Sequence, residues 1–303
     1  MRILARRMGA SYTICEVMLD QFLLSLRNRS RNQHHLKVTE DEYPVGGQLM
    51  GADPEQFPLA AQKLVDAGFH VIDINFGCPV KKVLGRCRGG FHLSQPDVAL
   101  DIVRRVRDAV PDNIPVTVKM RRAVDDTSES EDKFFTILDG AFDIGVASIT
   151  VHGRTVIQRY KGFSSLDALR EIKRHAGERT VIGSGDLFTP EDCLRMIQET
   201  GVDGVSLARG AIGNPWIFRQ VQALLNDEPM PAPPTLSEQR EVITEHFRLA
   251  QETYNGKRAC SQMRKFGVQY STMHPQHEQV RDAFMKCREP EQWMAVLDRW
   301  YKV

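Results

Sequence analysis

A chain of 303 residues is long enough for one large α/β barrel or for two ordinary domains. Its 40 Lys and Arg against 39 Asp and Glu exclude a generally basic nucleic-acid coat, so a nucleic-acid partner would have to be met by a local basic patch. No apolar run approaches the roughly 18 residues of a membrane span. Six cysteines without repeated short spacing, and an N-terminus without an apolar signal core, give a soluble chain in a reducing cytoplasm as the expectation.

The opening "MRILARRMGA" reads as a helix leading into a first strand. From Ser11 to Arg209 short β-branched runs then alternate with longer amphipathic stretches, the pattern of parallel strands joined by crossover helices. Strands are predicted in "SYTICEV", "PVGGQLM", "HVIDINFG", "PVTVKMR", "ASITVHG", "RTVIGSG" and "GVSLAR". Helices between them include "PEQFPLAAQKLVDAG" and "QPDVALDIVRRVRDAV", with Pro54 and Pro96 in first turns, and "TPEDCLRMIQETG" with Thr189 as cap and Gly201 as terminator. Seven such units are too many for an ordinary mononucleotide fold, and one more strand would close a (β/α)8 TIM barrel. The missing first strand is expected to lie before Met1. After Arg209 come a helix, "GNPWIFRQVQALL", a linker with four prolines, "NDEPMPAPPTLSE", and then helical patterns only. The expected organisation is a TIM-barrel catalytic domain over residues 1–230 and a small all-helical domain over residues 235–303.

In such a barrel the polar residues that finish the strands gather at one rim. Here they are Gln48, Asn75 with Cys78, Lys119 with Arg121, His152 with Arg154, Ser184 with Asp186, and Arg209. Taken singly, Cys78 reads equally well as a small core hydrophobe and Asn75 as a turn tie. Gly183 and Gly185 before one helix, and Gly210 and Gly213 after the last strand, expose backbone donors where barrels hold phosphate, with Arg209 as a fixed cation. There is no G-x-G-x-x-G opening a βα unit, no phosphate-binding P-loop and no paired-Cys or H-E-x-x-H motif, so no metal is expected.

With "DINFGCPVKKV", "VKMR", "ITVHGRT", "GSGD" and "ARGAIGNPWIF" in this order and spacing, the chain resembles the tRNA-dihydrouridine synthases, FMN-dependent barrel enzymes. The resemblance implies that Cys78 is the general acid that protonates C5 of a tRNA uracil while reduced flavin gives hydride to C6, NADPH serving as reductant. It implies flavin contacts from Gln48, Asn75, Lys119 and His152, and a phosphate site from Ser184, Gly185, Asp186, Ala208 and Arg209. It places Lys81, Arg154, Gln158 and Tyr160 at the tRNA and uridine pocket. Lys257, Arg258, Arg264 and Lys265 of the helical tail are candidates for the RNA backbone, read otherwise as a solvated helix face. A monomer is expected.

Four departures from the pattern stand out, one of them Phe163–Ser165 in place of an Ala-Asp-Trp or similar sequence. A segment of the type "APMAGVTD", which precedes the opening helix in the family and touches FMN, is not in this sequence, and a truncated N-terminus is the favoured explanation. Ser184 stands where Asn is common, and "LGRCRGGFH", Leu84–His92, replaces a Lys-x-Ala-Gly-Ser-Ala pattern. Two other readings compete with uridine reduction: an FMN barrel oxidoreductase acting on a small ring substrate, and an inactive tRNA-binding relative.

Overall fold

The computed structural model describes residues 1–26 and 34–302 and divides into two compact units. One, Ser11–Leu187 with Asp192–Leu207, holds the sheet; the other, Met1–Ala10, Phe188–Glu191 and Ala208–Val303, is helical.

The sheet runs β1 (Thr13–Ile14), β2 (Met18–Leu19), β3 (Val45–Met50), β4 (Val71–Phe76), β5 (Val116–Arg121), β6 (Ser148–His152), β7 (Val181–Ser184) and β8 (Gly204–Ser206). Every pairing is parallel, and each strand from β3 onward is hydrogen-bonded to the next. β1 and β2 both pair with β3, at Thr13↔Val45 and Met18↔Leu49, so they are one strand position interrupted at residues 15–17. There the Cys15 thiol takes the Gln48 N–H at 3.4 Å, a side-chain acceptor where a ladder carbonyl would otherwise serve. The seven predicted strands thus fill seven positions of an open, curled (β/α)8-type sheet, and among the described residues no ladder joins β8 to β1.

Crossover helices connect the strands: α3 (Gln56–Asp66), α5 (Pro96–Ala109), α6 (Ser128–Asp143), α7 (Leu166–Ala176) and α8 (Pro190–Thr200). Pro96 occupies the first turn of α5, and Thr127 and Ser165 cap α6 and α7 by accepting from Ser130 and Ala168 N–H. Two short helices, α2 (Asp20–Ser25) and α4 (Lys81–Leu84), follow β2 and β4; α1 (Arg2–Arg7) opens the chain.

Alternation along the strands gives the sheet two unlike faces. Leu49, Ile74, Phe76, Val118 and Val151 have no exposed surface. Their face lies against the helices, since a Cβ added at Gly47 would come within 2.7 Å of Leu64 on α3, and one at Gly183 within 2.6 Å of Met196 on α8. The opposite, concave face carries Gln48, Asp73, Asn75, Thr117, Lys119, Arg121, His152 and Ser184. Barrel interiors are usually filled by branched apolar side chains. Here that role has been given up along most of the strands.

In the helical unit, α9 (Ile217–Leu225) leads through the proline-rich segment to α10 (Leu236–Thr253), α11 (Gly256–Tyr270), α12 (His277–Lys286) and α13 (Pro290–Trp300). Thr235 and Glu238 form a reciprocal capping box at the start of α10. Phe247 stacks on Trp293 at 4.9 Å, and Leu4 of α1 and Trp216 are buried in the same core. The opening helix therefore belongs by packing to the helical unit rather than to the strand it precedes, and Arg7 reinforces this with an ion pair to Glu245 at 2.9 Å.

Candidate active site on the concave face of the sheet

Asp73 sits mid-strand on β4 with no exposed surface. Register sets Gln48 of β3 and Thr117 of β5 beside it, and their Nε2 and Oγ1 donate to its two oxygens at 2.7 and 2.6 Å. Burial nonetheless outweighs these bonds and the charge of Lys119, and lifts the carboxyl to a pKa of about 6. With Gln48 Nε2 committed to Asp73, its Oε1 faces Asn75 and accepts from Nδ2 at 2.9 Å. Asn75 Oδ1 is then turned to the backbone and accepts the N–H groups of Gly77 and Cys78 at 3.0 and 3.1 Å. A continuous relay thus runs from the middle of the sheet to the Cys78 amide. Lys119, two residues beyond Thr117 on the same face, is half-buried; burial lowers its pKa, Asp73 opposes that and Arg121 adds to it.

Cys78 is a free, half-buried thiol on the loop between β4 and α4. Its carbonyl accepts the Gly90 N–H at 3.0 Å. Gly89 has φ +58°, and a Cβ there would fall 2.8 Å from the Cβ of Cys78, so this close approach requires glycine. Arg121, buried at the end of β5, ties that loop to the one after β6. Nε donates to Gly77 O at 3.0 Å and Nη1 to Thr155 O and Arg159 O, each at 2.8 Å. Its guanidinium also lies 5.8 Å from the centre of the Tyr160 ring.

His152 ends β6 and accepts the Arg154 N–H on Nδ1 at 3.1 Å, which leaves the ring proton on Nε2. Burial first, and then the charges of Lys119, Arg121 and Arg154, hold its pKa down at about 3, so the ring is neutral at pH 7. Arg154 forks onto Asp186, Nη1 to Oδ1 at 2.8 Å and Nη2 to Oδ2 at 2.7 Å, and donates to the carbonyls of Lys161 and Gly162. Asp186 Oδ2 also accepts the Ser164 N–H at 2.8 Å. Gly185 before it has φ +118°, and a Cβ there would lie 2.4 Å from Ser164 Oγ. Ser184 is buried, its hydroxyl donating to Ser206 O at 3.3 Å.

Gln48, Asn75, Lys119, His152 and Ser184 therefore share one face, with Cys78 on the loop at its edge. Lys81, at the start of α4, and Tyr160, on the loop after β6, are both exposed. Arg154 and Gln158 spend their side chains inside the molecule, since Gln158 Oε1 takes the Thr155 N–H at 2.7 Å. Ala208 and Arg209 are exposed in the helical unit, where the Arg209 guanidinium lies 5.0 Å from the Phe188 ring centre. Sequence reasoning passed over Asp73, Thr117 and the clamping role of Arg121. The signal was available: Asp73 and Thr117 stand two residues before Asn75 and Lys119, one strand period away. Among the described residues no group of three or more His, Cys, Asp or Glu is placed to hold a metal ion, and no helix is long and apolar enough to cross a membrane.

A parallel sheet with a polar concave face and a thiol at its edge is a frame on which a barrel enzyme can build its site. Solved structures share the fold: histamine dehydrogenase from Rhizobium sp. 4-9 at TM-score 0.55 and 14% identity over 80% of this chain, and 2-naphthoyl-CoA reductase at 0.58 and 9% over 75%. The chain spans just under half the length of these two, 45% and 46%. The model of the dihydrouridine synthase (Dus) family matches residues 1–302. The tRNA-dihydrouridine synthase B of Shewanella oneidensis is 35% identical over 84% of this chain and 76% of its own length; that of Xanthomonas campestris is 31% identical over 99% and 88%. The chain belongs to the dihydrouridine synthase family, and with it to the flavin-dependent oxidoreductases.

The donor set suits an FMN ring system. Lys119 offers a cation, Gln48 and Asn75 amides and His152 a neutral Nε2–H, a combination matched to a ring rich in carbonyl and imine acceptors that gains negative charge on reduction. At Gly185 the backbone comes so close to Ser164 that it is bare of a side chain.

Proposed function

We propose that this chain reduces specific uridines in tRNA to 5,6-dihydrouridine. The observation that carries the reading is the relay from Asp73 through Gln48 and Asn75 to the Cys78 amide, which fixes a half-exposed thiol at the edge of a face whose donors suit FMN. FMN, when bound, supplies hydride to C6 of the base and is itself reduced by NADPH. Cys78 gives its proton to C5, an acid role that requires a fixed S–H within reach of one ring carbon. Gln48, Asn75, Lys119 and His152 hold the ring system, and Ser184, Gly185 and Asp186 form the phosphate end on the same unit. Within that set Asp186 acts by orienting: its carboxylate already serves Arg154 and Ser164, and the two loop segments it joins are what it supplies.

A uridine stacked in folded RNA has to be extruded to reach such a face. Tyr160, 62% exposed and backed by Arg121, offers a ring on which a base can stack, with Lys81 as a cation toward phosphate. Arg154 and Gln158 support this pocket from behind by shaping the turn that carries Tyr160. On α11, Lys257, Arg258, Arg264 and Lys265 recur at a spacing of seven and so share one helix face, a footprint for the RNA backbone. The unit that carries the sheet thus performs the chemistry and the helical unit holds the RNA, in a cytoplasmic monomer.

Cys78→Ala tests the reading. The purified variant should keep its flavin absorbance while dihydrouridine formed in tRNA, measured by mass spectrometry, falls by about a hundredfold or more. An unchanged rate removes Cys78 as the acid. Turnover of free uracil but not of tRNA by the parent would favour a small-ring oxidoreductase, and salt-sensitive tRNA binding without flavin a non-catalytic relative.

A further inference from the structure

Beside the Cys78 loop lie three buried ionisable side chains that the proposed chemistry does not use: Asp20, Arg88 and His92, exposed by 1%, 6% and 1%. Asp20 opens α2, and its Oδ1 accepts the Gln21 N–H at 2.6 Å. Arg88 donates from Nη2 to Gln21 Oε1 at 2.9 Å; burial raises the pKa of Asp20, and the Gln21 N–H and then the charge of Arg88 oppose that. His92 donates from Nε2 to the carbonyl of Gly51 at 3.0 Å, which makes Nδ1 a bare acceptor. Gly51 is the link back to Asp20: a Cβ added there would fall 2.0 Å from Asp20 Oδ2. The ring of contacts therefore closes, from α2 to Arg88, through the 3₁₀ segment Gly89–Ser94 to His92, to the end of β3 and back to Asp20.

This ring is poor as a source of stability. Asp20 Oδ2, Arg88 Nε and His92 Nδ1 are all buried without a hydrogen-bond partner, and a buried polar group left unsatisfied costs free energy. What it does determine is the position of the two residues between Arg88 and His92. Gly90 gives its N–H to the Cys78 carbonyl at 3.0 Å, and at Gly89 an added Cβ would fall 2.8 Å from the Cβ of Cys78.

We propose that Asp20, Arg88 and His92 are positioning residues that hold the Gly89–Gly90 backbone against Cys78 and thereby fix the place of its thiol. The inference rests on the reading of Cys78 as the acid. The Asn75 relay secures the Cys78 N–H and this ring its carbonyl.

The test uses the full chain with its flavin in a Cys87→Ser background, since Cys87 is exposed and the four cysteines other than Cys78 and Cys87 are buried. Iodoacetamide then reports on Cys78 alone, with or without activity. Arg88→Ala and His92→Leu should change the alkylation rate at fixed pH by about threefold or more. In tRNA reduction they should lower kcat on the order of tenfold while KM for tRNA moves by less than about twofold. Arg88→Lys, which keeps the charge opposite Asp20 but loses the reach to Gln21, should fall between parent and Arg88→Ala, and it covers the case in which the alanine variant does not fold. Alkylation rates equal to the parent's in folded Arg88→Lys and His92→Leu overturn the proposal. A parent that alkylates normally but does not reduce tRNA overturns the functional reading instead and leaves the alkylation comparison to decide this one.

Discussion

On β4, Ile72, Ile74 and Phe76 lie against helices while Asp73 and Asn75 point the other way, and β5 repeats the division with Val118 and Met120 against Thr117, Lys119 and Arg121. One face is held by volume: its side chains have no exposed surface, and glycine appears where a helix comes too close for a Cβ. The other is held by direction, each polar group turned by the one before it. Neighbouring residues on a single strand thus carry unlike kinds of sensitivity, and substitutions one position apart should separate them.

The largest effect on stability is expected on the apolar face. Ile74→Ala removes buried volume and should cost about 3 kcal/mol or more in urea unfolding, with the flavin spectrum of the folded fraction unchanged. A spectral change in that fraction would mean that the two faces are coupled.

The pH dependence of the polar face comes next. Asp73 titrates at about 6 in the folded chain against 3.8 in the unfolded one. The folded state therefore binds this proton more tightly. The stabilising contribution is whole below pH 3.8 and is lost as pH rises through about 6, amounting to roughly 3 kcal/mol. His152 runs the opposite way: lowered from 6.5 to about 3, its contribution is whole above pH 6.5 and is lost as pH falls toward 3. The two slopes oppose each other in the parent. Asp73→Asn removes one of them, so the unfolding free energy of parent minus variant should decline by up to about 3 kcal/mol between about pH 4 and pH 7. A difference that stays flat with pH would show that Asp73 does not carry the slope.

Asn75→Ala should be the mildest in stability, about 1 kcal/mol, because a turn tie and one amide contact are lost without a cavity in the core. Its effect should appear instead as faster amide exchange at Gly77 and Cys78, whose N–H groups it holds. Unchanged exchange would break the relay at its last step.

All seven strand windows were legible because each is a short β-branched run between helical stretches, and parallel strands need such runs on the helix-facing side. The break at residues 15–17 was not, since it depends on where the Cys15 thiol meets Gln48. Nor was the packing of α1, because "MRILARRMGA" carries an apolar stripe but nothing that names the core receiving Leu4. Strand-end residues such as Lys119 and His152 announced themselves as polar groups in apolar surroundings. Arg154 and Asp186 did so as well, yet their pairing across 32 residues could be read only once the loops were in place. Asp20, Arg88 and His92 come from two distant segments, and only their shared burial marks them as a set.

Arg121 reaches Gly77, Thr155 and Arg159 through their main-chain carbonyls. An anchor addressed to the backbone places no demand on the identity of the side chains that project from it. The segment from Ile157 to Phe163, whose Ile157, Tyr160 and Phe163 stand 64%, 62% and 88% exposed, is in this sense interchangeable. Its outward residues can be rewritten, by drift or by an engineer, while the thiol keeps its place.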